Sequence, residues 1–334
     1  MSGPPNATAL ERAIRAQPAE LSRLLEVPIP HGIVERLRQA RRIWVVGTGT
    51  SLHAAELAAM MLHDAGRAAT AMSSMRFVNW APPVDPADAL LLISHNAGEE
   101  TAYAAAAFTM AMDAGLRVVA VTRRGGGLPD TVETVDRERS HTYTVSYTAA
   151  LVQLARLAHA LGAETYGPEV LARVPAAVEA AIADPGTEHI RQPGRALVLF
   201  GEGPAAVTAR EGALKVREAA RVLAEGYDVE HLLHGSAVPL DGRDHLVALL
   251  PPDTDGLVEG VARAGELAGI PVTRVREPAD LPPVLAQIPL TVRFQLLALR
   301  YSSERGTNPD VAIEGPWADE HLWAIGMPPG FLTR

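Results

Sequence analysis

Residues 41–62 read RRIWVVGTGTSLHAAELAAMML, and residues 195–225 read RALVLFGEGPAAVTAREGALKVREAARVLAE. Each stretch opens with a short apolar run, turns at a G-x-G and continues into a helix-forming segment. Gly47 and Gly201, the first glycines of the two turns, stand 154 residues apart. That interval is the size of one α/β domain, so the echo predicts a duplicated domain. More apolar runs follow each turn, at 89–94 and 117–122, then at 245–250 and 270–275. Such runs suit strands buried on both faces of a parallel sheet. Helical segments at 101–114 and 257–267 lie between them. The expected fold is α/β: two tandem domains, each a doubly wound parallel sheet flanked by helices.

Outward from the echo, the expected boundaries are an N-terminal helical segment at 1–29 and a first domain at 30–183. A linker rich in proline and glycine follows at 184–194, then a second domain at 195–314 and a tail at 315–334. Helices are also expected at 148–161 and 289–300. The tail carries Trp317 and Trp323 without a clear period, and it is expected to pack on a neighbouring surface.

Composition narrows the chemistry. The chain has 334 residues, 39 acidic and 30 basic side chains, a net charge of −9 and 48% apolar content. Disordered chains are poorer in apolar residues. There is no cysteine, which excludes disulfides, thiolate metal sites and a cysteine nucleophile. An acidic chain without a basic cluster argues against general nucleic-acid binding. No run approaches the roughly 18 apolar residues of a membrane span, and the first residues lack a secretory pattern. The expectation is a cytoplasmic protein acting on a small molecule.

The glycine turns place backbone N–H groups at helix starts, where an anion can sit. In the first turn, Gly49, Thr50 and Ser51 are candidate binding residues. The second turn fits a loose G-x-G-x-x-A dinucleotide pattern. Glu202 and Pro204 suit a pyrophosphate poorly, however, and no acidic residue is expected to end a second strand about 20 positions on. A plain tight turn is the alternative for both.

The helix expected at 205–224 is mostly apolar, yet Glu211, Lys215 and Glu218 fall at i, i+4 and i+7 and share one face. Ionisable groups on a core helix are costly unless paired or used. They form either an internal salt-bridge ladder or a carboxylate base tuned by a lysine. His231 and His234 form an H-x-x-H, but no third metal ligand is evident. His234, followed by Gly235, suits proton transfer near neutral pH.

Together these residues resemble the double sugar-isomerase (SIS) domain family, in particular the isomerase half of glucosamine-6-phosphate synthase and related sugar-phosphate isomerases and deaminases. The resemblance covers about 41–310. Its most specific stretch is EGALKVREAARVLAEGYDVEHLLHG at 211–235, which aligns without a gap to a family pattern close to EGALKLKE…AE…ELKHG. The resemblance implies that Glu218 moves a proton between sugar C1 and C2, that Lys215 stands beside it, and that His234 assists ring opening from the partner subunit. It therefore implies a homodimer with shared active sites. No metal and no organic cofactor is implied.

In the first domain, Gly49, Thr50 and Ser51 match the family's C-G-T-S turn, with Thr48 in place of cysteine. The family's S-x-S-G-E-T phosphate loop corresponds to Ser94, His95, Asn96, Gly98 and Thr101. Glu138 and Thr144 match an E-x-x-V-A-S-T-K pattern, in which Val145 replaces the lysine. The departures matter. Asn96 replaces a serine, Glu99 and Glu100 place carboxylates where a phosphate would be repelled, and Arg76 stands where relatives often carry glutamate. The family's C-terminal P-R-N-L-A-K is absent, with no lysine after Asp310. The resemblance thus implies an aldose–ketose isomerase or amino-sugar-phosphate deaminase without a cysteine glutaminase domain. A sugar-phosphate sensor without turnover is the alternative.

Overall fold

The computed structural model describes residues 7–80, 83–97, 101–252 and 256–328. It divides into two compact units, each built on one parallel sheet. The first-sheet unit comprises Ala19–Glu138, Val145–Ala172 and Ile313–Arg334. The second-sheet unit comprises Met1–Pro18, Arg139–Thr144 and Arg173–Ala312. The expected boundaries were consecutive in sequence, whereas these units are interleaved.

The chain starts with α1 (Ala9–Glu26) and α2 (His31–Arg38). The first sheet follows as β1 (Ile43–Gly47), α3 (Thr50–Asp64), β2 (Ala69–Ser73), α4 (Ser74–Trp80), β3 (Ala89–Ile93), α5 (Ala102–Asp113), β4 (Arg117–Thr122) and β5 (Thr131–Glu133). Its order is β2-β1-β3-β4-β5 and every pairing is parallel. β1 and β3 are buried at every position, as their continuous apolar runs require. One face packs Trp44, Val46, Leu90 and Leu92 against Phe77, Ala106 and Ala107.

After α6 (Val145–Ala160), α7 (Pro168–Leu171) and α8 (Val174–Ala183), the second sheet is built from β6 (Leu197–Gly201), α9 (Pro204–Ala220), β7 (Ala224–Asp228), α10 (Val229–His231), β8 (His245–Leu250), α11 (Leu257–Leu267) and β9 (Val272–Arg276). Its order, β7-β6-β8-β9, repeats the β2-β1-β3-β4 core of the first sheet. α12 (Pro283–Arg305) and α13 (Glu320–Ala324) complete the chain. Phe200, Val198, Leu246 and Ala248 pack against Val258 and Ala262 of α11.

The two units repeat each other in detail. Gly49 and Gly203 share a backbone of φ 54°, ψ −126° and φ 52°, ψ −125°, a region open to glycine alone. A Cβ on Gly47 would lie 2.3 Å from the Ser51 carbonyl oxygen, and one on Gly201 would lie 2.8 Å from Ala205 Cβ. At the opposite end of each sheet, Arg41 Nε donates to Asp88 at 3.0 Å and Arg195 Nε donates to Asp244 at 2.8 Å. Each buried aspartate also accepts the backbone N–H three residues before it, from Asp85 and from Asp241.

Two elements differ from expectation. The helix expected to run to 224 stops at Ala220, because Arg221 turns left-handed (φ 56°, ψ 33°). Residues 224–228 become β7, which leaves Leu223 exposed rather than in the core. The proline-rich segment at 184–194 is not a free linker. Thr187, Ile190 and Arg191 offer carbonyls to Arg300 and Tyr301 of α12. The tail packs as expected, on α4 and α5: Tyr103 donates to the Ile325 carbonyl at 2.6 Å, and Asn79 to that of Gly326 at 3.1 Å.

β7 and α9 approach most closely at Gly226. A Cβ there would stand 2.4 Å from the backbone of Ala209 and Arg210. Neither backbone can yield without moving helix or strand, so Gly226→Ala is expected to cost about 1–3 kcal/mol. Urea unfolding followed by circular dichroism will measure it as a lower midpoint at unchanged slope.

Candidate active site

The α9 helix is enclosed by β6, β7 and α12, so its polar stripe lies in a core. Glu211 and Lys215 are fully buried, and the Glu218 side chain is 21% exposed. Lys215 Nζ lies 2.6 Å from Glu218 Oε2 and 3.5 Å from Glu211 Oε1. Two carboxylates thus share one ammonium. Burial raises the Glu218 pKa, Lys215 opposes the rise, Glu211 adds to it, and the result stays above the ordinary glutamate value. A partly accessible carboxylate that holds its proton more tightly than usual is suited to proton exchange with a ligand.

Beyond β7 the chain makes the short α10 and then a distorted turn at Leu232–Ser236, with His234 at φ −81°, ψ 45° and Gly235 at φ 109°. The His234 side chain is 76% exposed, with Nε2 3.8 Å from Glu230 Oε1. His231 is also exposed. His234 therefore contacts Glu230 and not Glu218. Asp228 ends β7, so an acidic residue does close the strand beside β6, contrary to the sequence expectation. Its carboxylate is engaged as the cap of α10, accepting from Glu230 N at 2.9 Å.

The hydroxyl-rich residues belong to the other unit. β1 and β3 are neighbours and parallel, and the strand order reverses between them. Open α/β sheets bind ligands beyond the strand ends at such a switch point. Thr48, Gly49, Thr50 and Ser51 leave β1 there, and Ser94, His95 and Asn96 leave β3. Thr48 Oγ1 donates to Ser74 Oγ at 3.0 Å, which adds the start of α4, just past β2, to the cluster. Ser94 and Asn96 are buried. His95 Nε2 accepts the Glu138 N–H at 3.0 Å, so the neutral ring carries its proton on Nδ1. Glu138 is buried, and its carboxylate accepts the Ser146 N–H at 3.0 Å in the first turn of α6. Arg76 is exposed on α4, one turn past β2, with its N–H donating to Ser73 Oγ. Thr101 precedes α5 and is half-buried. Thr144 is fully buried and belongs to the second-sheet unit. Gly98, Glu99 and Glu100 lie outside the described residues.

One buried carboxylate was not anticipated. Glu277, just past β9, is 6% exposed, and burial pushes its pKa up to about 7, with Glu202 adding to the rise. Gln287 donates to it at 3.0 Å and accepts from Thr208 at 2.8 Å. Its sequence context, VREPAD, is that of an ordinary surface loop.

No family model matches the chain. Curated relatives do. A glutamine–fructose-6-phosphate aminotransferase (isomerizing) from Pyrococcus horikoshii is 28% identical over 310 residues, covering 83% of this chain and 51% of that protein. Its counterpart from Methanothermobacter thermautotrophicus is 29% identical over 309 residues, covering 84% and 51%. The relatives of this chain are the isomerase (SIS) part of these enzymes. The chain spans about half their length. Solved structures share the fold. The C-terminal domain of glucosamine-fructose-6-phosphate aminotransferase from Francisella tularensis superposes with a TM-score of 0.78 at 19% identity, covering 93% of this chain and all of that one. Tagatose-6-phosphate ketose/aldose isomerase from Escherichia coli gives 0.76 at 18% identity, over 95% and 98%. Glucosamine-6-phosphate deaminase from Thermotoga maritima gives 0.75 at 19% identity, over 91% and 97%. The chain is thus an α/β protein of parallel sheets flanked by helices, and the solved structures that share its fold include a sugar-phosphate isomerase and a deaminase. Among the described residues, no helix is long and apolar enough to cross a membrane.

Proposed function

We propose that the chain is a pair of tandem SIS domains acting as an aldose–ketose isomerase or a deaminase on a sugar phosphate, with an amino-sugar phosphate the favoured substrate. The observation that carries this reading is the Glu218–Lys215 pair: a proton-retaining carboxylate in ion-pair contact with a buried lysine, in a chain whose relatives are isomerizing enzymes. The repeated strand order and paired glycine turns support the tandem arrangement.

The chemistry follows from the groups. His234 opens the sugar ring by proton transfer. Glu218 then takes the C2 proton as the C1 carbonyl draws the electrons into an enediol, and returns it to C1 while the C2 hydroxyl proton goes to the C1 oxygen. Lys215 stabilises the oxygen on which charge develops. In the deaminase version the same shuttle gives an imine at C2, and water then releases ammonia and leaves the ketose phosphate. The exposure of His234 supports its use in a partner subunit's site, hence a homodimer. Neither metal nor cofactor enters these steps. These 334 residues hold no cysteine, so cysteine-dependent release of ammonia from glutamine is not their chemistry. A cytoplasmic location belongs to the same proposal.

The phosphate site of this reading belongs to the first-sheet unit, at Thr50, Ser51 and Ser94, with Gly49, His95, Asn96 and Thr101 beside them and Arg76 supplying charge; Gly98 lies outside the described residues. Glu138 supports the loop through His95, whose Nε2 accepts its N–H. Arg76→Ala is expected to weaken sugar-phosphate binding about tenfold, or roughly 1.4 kcal/mol, as read by isothermal titration. The spent Glu138 carboxylate and Val145 in the lysine position favour a second reading, a sensor that binds without turnover. Incubation with hexose and hexosamine phosphates, following ketose formation and ammonia release, decides between them. Binding without either product, unaffected by Glu218→Gln, would establish the sensor.

A further inference from the structure

We propose that Arg221 is a positioning residue for Glu218, locking the end of α9 through the backbone carbonyl of Glu218 itself. The proposal rests on the reading of Glu218 as the proton-transfer group.

The last carbonyls of a helix have no partner within it. In α9 they are taken by three donors. The Arg221 N–H reaches the Arg217 carbonyl at 3.1 Å, the Arg221 guanidinium donates to the Glu218 carbonyl, and Thr307 Oγ1 donates to the Ala219 carbonyl at 2.8 Å. A second Arg221 nitrogen donates to the Val311 carbonyl. The guanidinium therefore staples the helix end to the 307–311 segment.

That segment is itself fixed. The Asp310 carboxylate accepts the Ala9 and Leu10 N–H groups at 2.8 and 2.7 Å, at the start of α1. The Pro309 carbonyl accepts from Thr142 Oγ1 at 2.8 Å and Ser140 Oγ at 3.2 Å. Arg221 thus ties Glu218 to an anchored strap. Lys215 holds the Glu218 carboxylate from one side, and Arg221 holds its backbone from the other.

The conformation of Arg221 separates this role from simple helix termination. Its φ of 56° lies where a Cβ is disfavoured and glycine is the usual residue. Glycine alone would end the helix with less strain and would still offer its N–H to Arg217. An arginine at this position adds what glycine lacks, a side chain that donates to the carbonyls of Glu218 and Val311.

The test compares Arg221→Gly and Arg221→Asn with the wild type. Asparagine also tolerates left-handed backbone, and neither side chain can reach the two carbonyls. The expected result is a thermal midpoint equal to or above the wild type, KM for the turned-over sugar phosphate within twofold, and kcat at least tenfold lower. Arg221→Lys, which can still reach the Glu218 carbonyl, recovers part of the kcat. Hydrogen exchange at the amides of 219–221 is expected to speed at least tenfold in the glycine and asparagine variants. A kcat within twofold of wild type in both variants overturns the proposal. So does a loss of kcat matched by a falling thermal midpoint, which would mark general destabilisation. If the wild type turns over no sugar phosphate, the reading of Glu218 fails separately. The exchange measurement then decides on Arg221: faster exchange sustains the staple, and unchanged protection overturns it.

Discussion

Glu218→Gln is expected to lower turnover by roughly 10²–10⁴-fold, the usual contribution of a positioned acid–base group, while leaving sugar-phosphate affinity within a few-fold. The amide keeps the volume of the carboxylate and can still accept from Lys215, so the fold should persist and circular dichroism should match the wild type. The pH profile carries the same assignment. The acid limb of kcat should lie above the ordinary glutamate range, since burial, offset only in part by Lys215, raises the Glu218 pKa. Its sign follows from the chemistry: the base works ionised, so activity falls as pH drops through that raised value. The limb should vanish from the residual activity of the glutamine variant. An unchanged kcat in Glu218→Gln would remove this residue from the mechanism.

The fold was legible because buried parallel strands need continuous apolar runs, and such runs at 89–93, 117–122 and 245–250 stand out from their surroundings. The G-x-G turns were legible because Gly49 and Gly203 occupy backbone that no other residue takes comfortably. The Glu211–Lys215–Glu218 stripe was legible as charge on an apolar helix. β7 was not. Its sequence, AEGYD, has none of the apolar run of a central strand, because it lies at the sheet edge and is half-exposed. The end of α9 was equally hidden, because an arginine in left-handed backbone carries no sequence signal. Glu277 was missed because nothing in its sequence neighbourhood marks it as buried, and its hydrogen-bond partner Gln287 lies on α12. The interleaved units escaped for a related reason: Asp310 caps α1 some 300 residues away in sequence, and pattern within a window cannot find such a partner.

Lys215→Met should damage stability more than any other single change at the site. Methionine matches the length of the lysine stem but leaves Glu211, fully buried, and Glu218, partly buried, with no ammonium between them. Breaking a buried charge cluster by removing one member costs about 3–5 kcal/mol, because the remaining charges keep their desolvation penalty without compensation. For a chain of this size that fall is a large share of total stability. It should also depend on pH in a predictable direction. Burial already raises the Glu218 pKa, and Lys215 is what holds it down, so its loss raises that pKa further. A group whose folded pKa is raised contributes stability below its unfolded value and loses it as pH rises through the folded value. The penalty of Lys215→Met should therefore be largest near pH 8 and shrink toward pH 5, where the carboxyls can accept protons. Adding Glu211→Gln to Lys215→Met should recover part of the stability at pH 8, since the amide removes one of the two carboxylates that Lys215 held. Urea titrations of the three proteins at both pH values will measure this. A penalty independent of pH would mean that the cavity and packing around Lys215, rather than its charge, hold the stripe together.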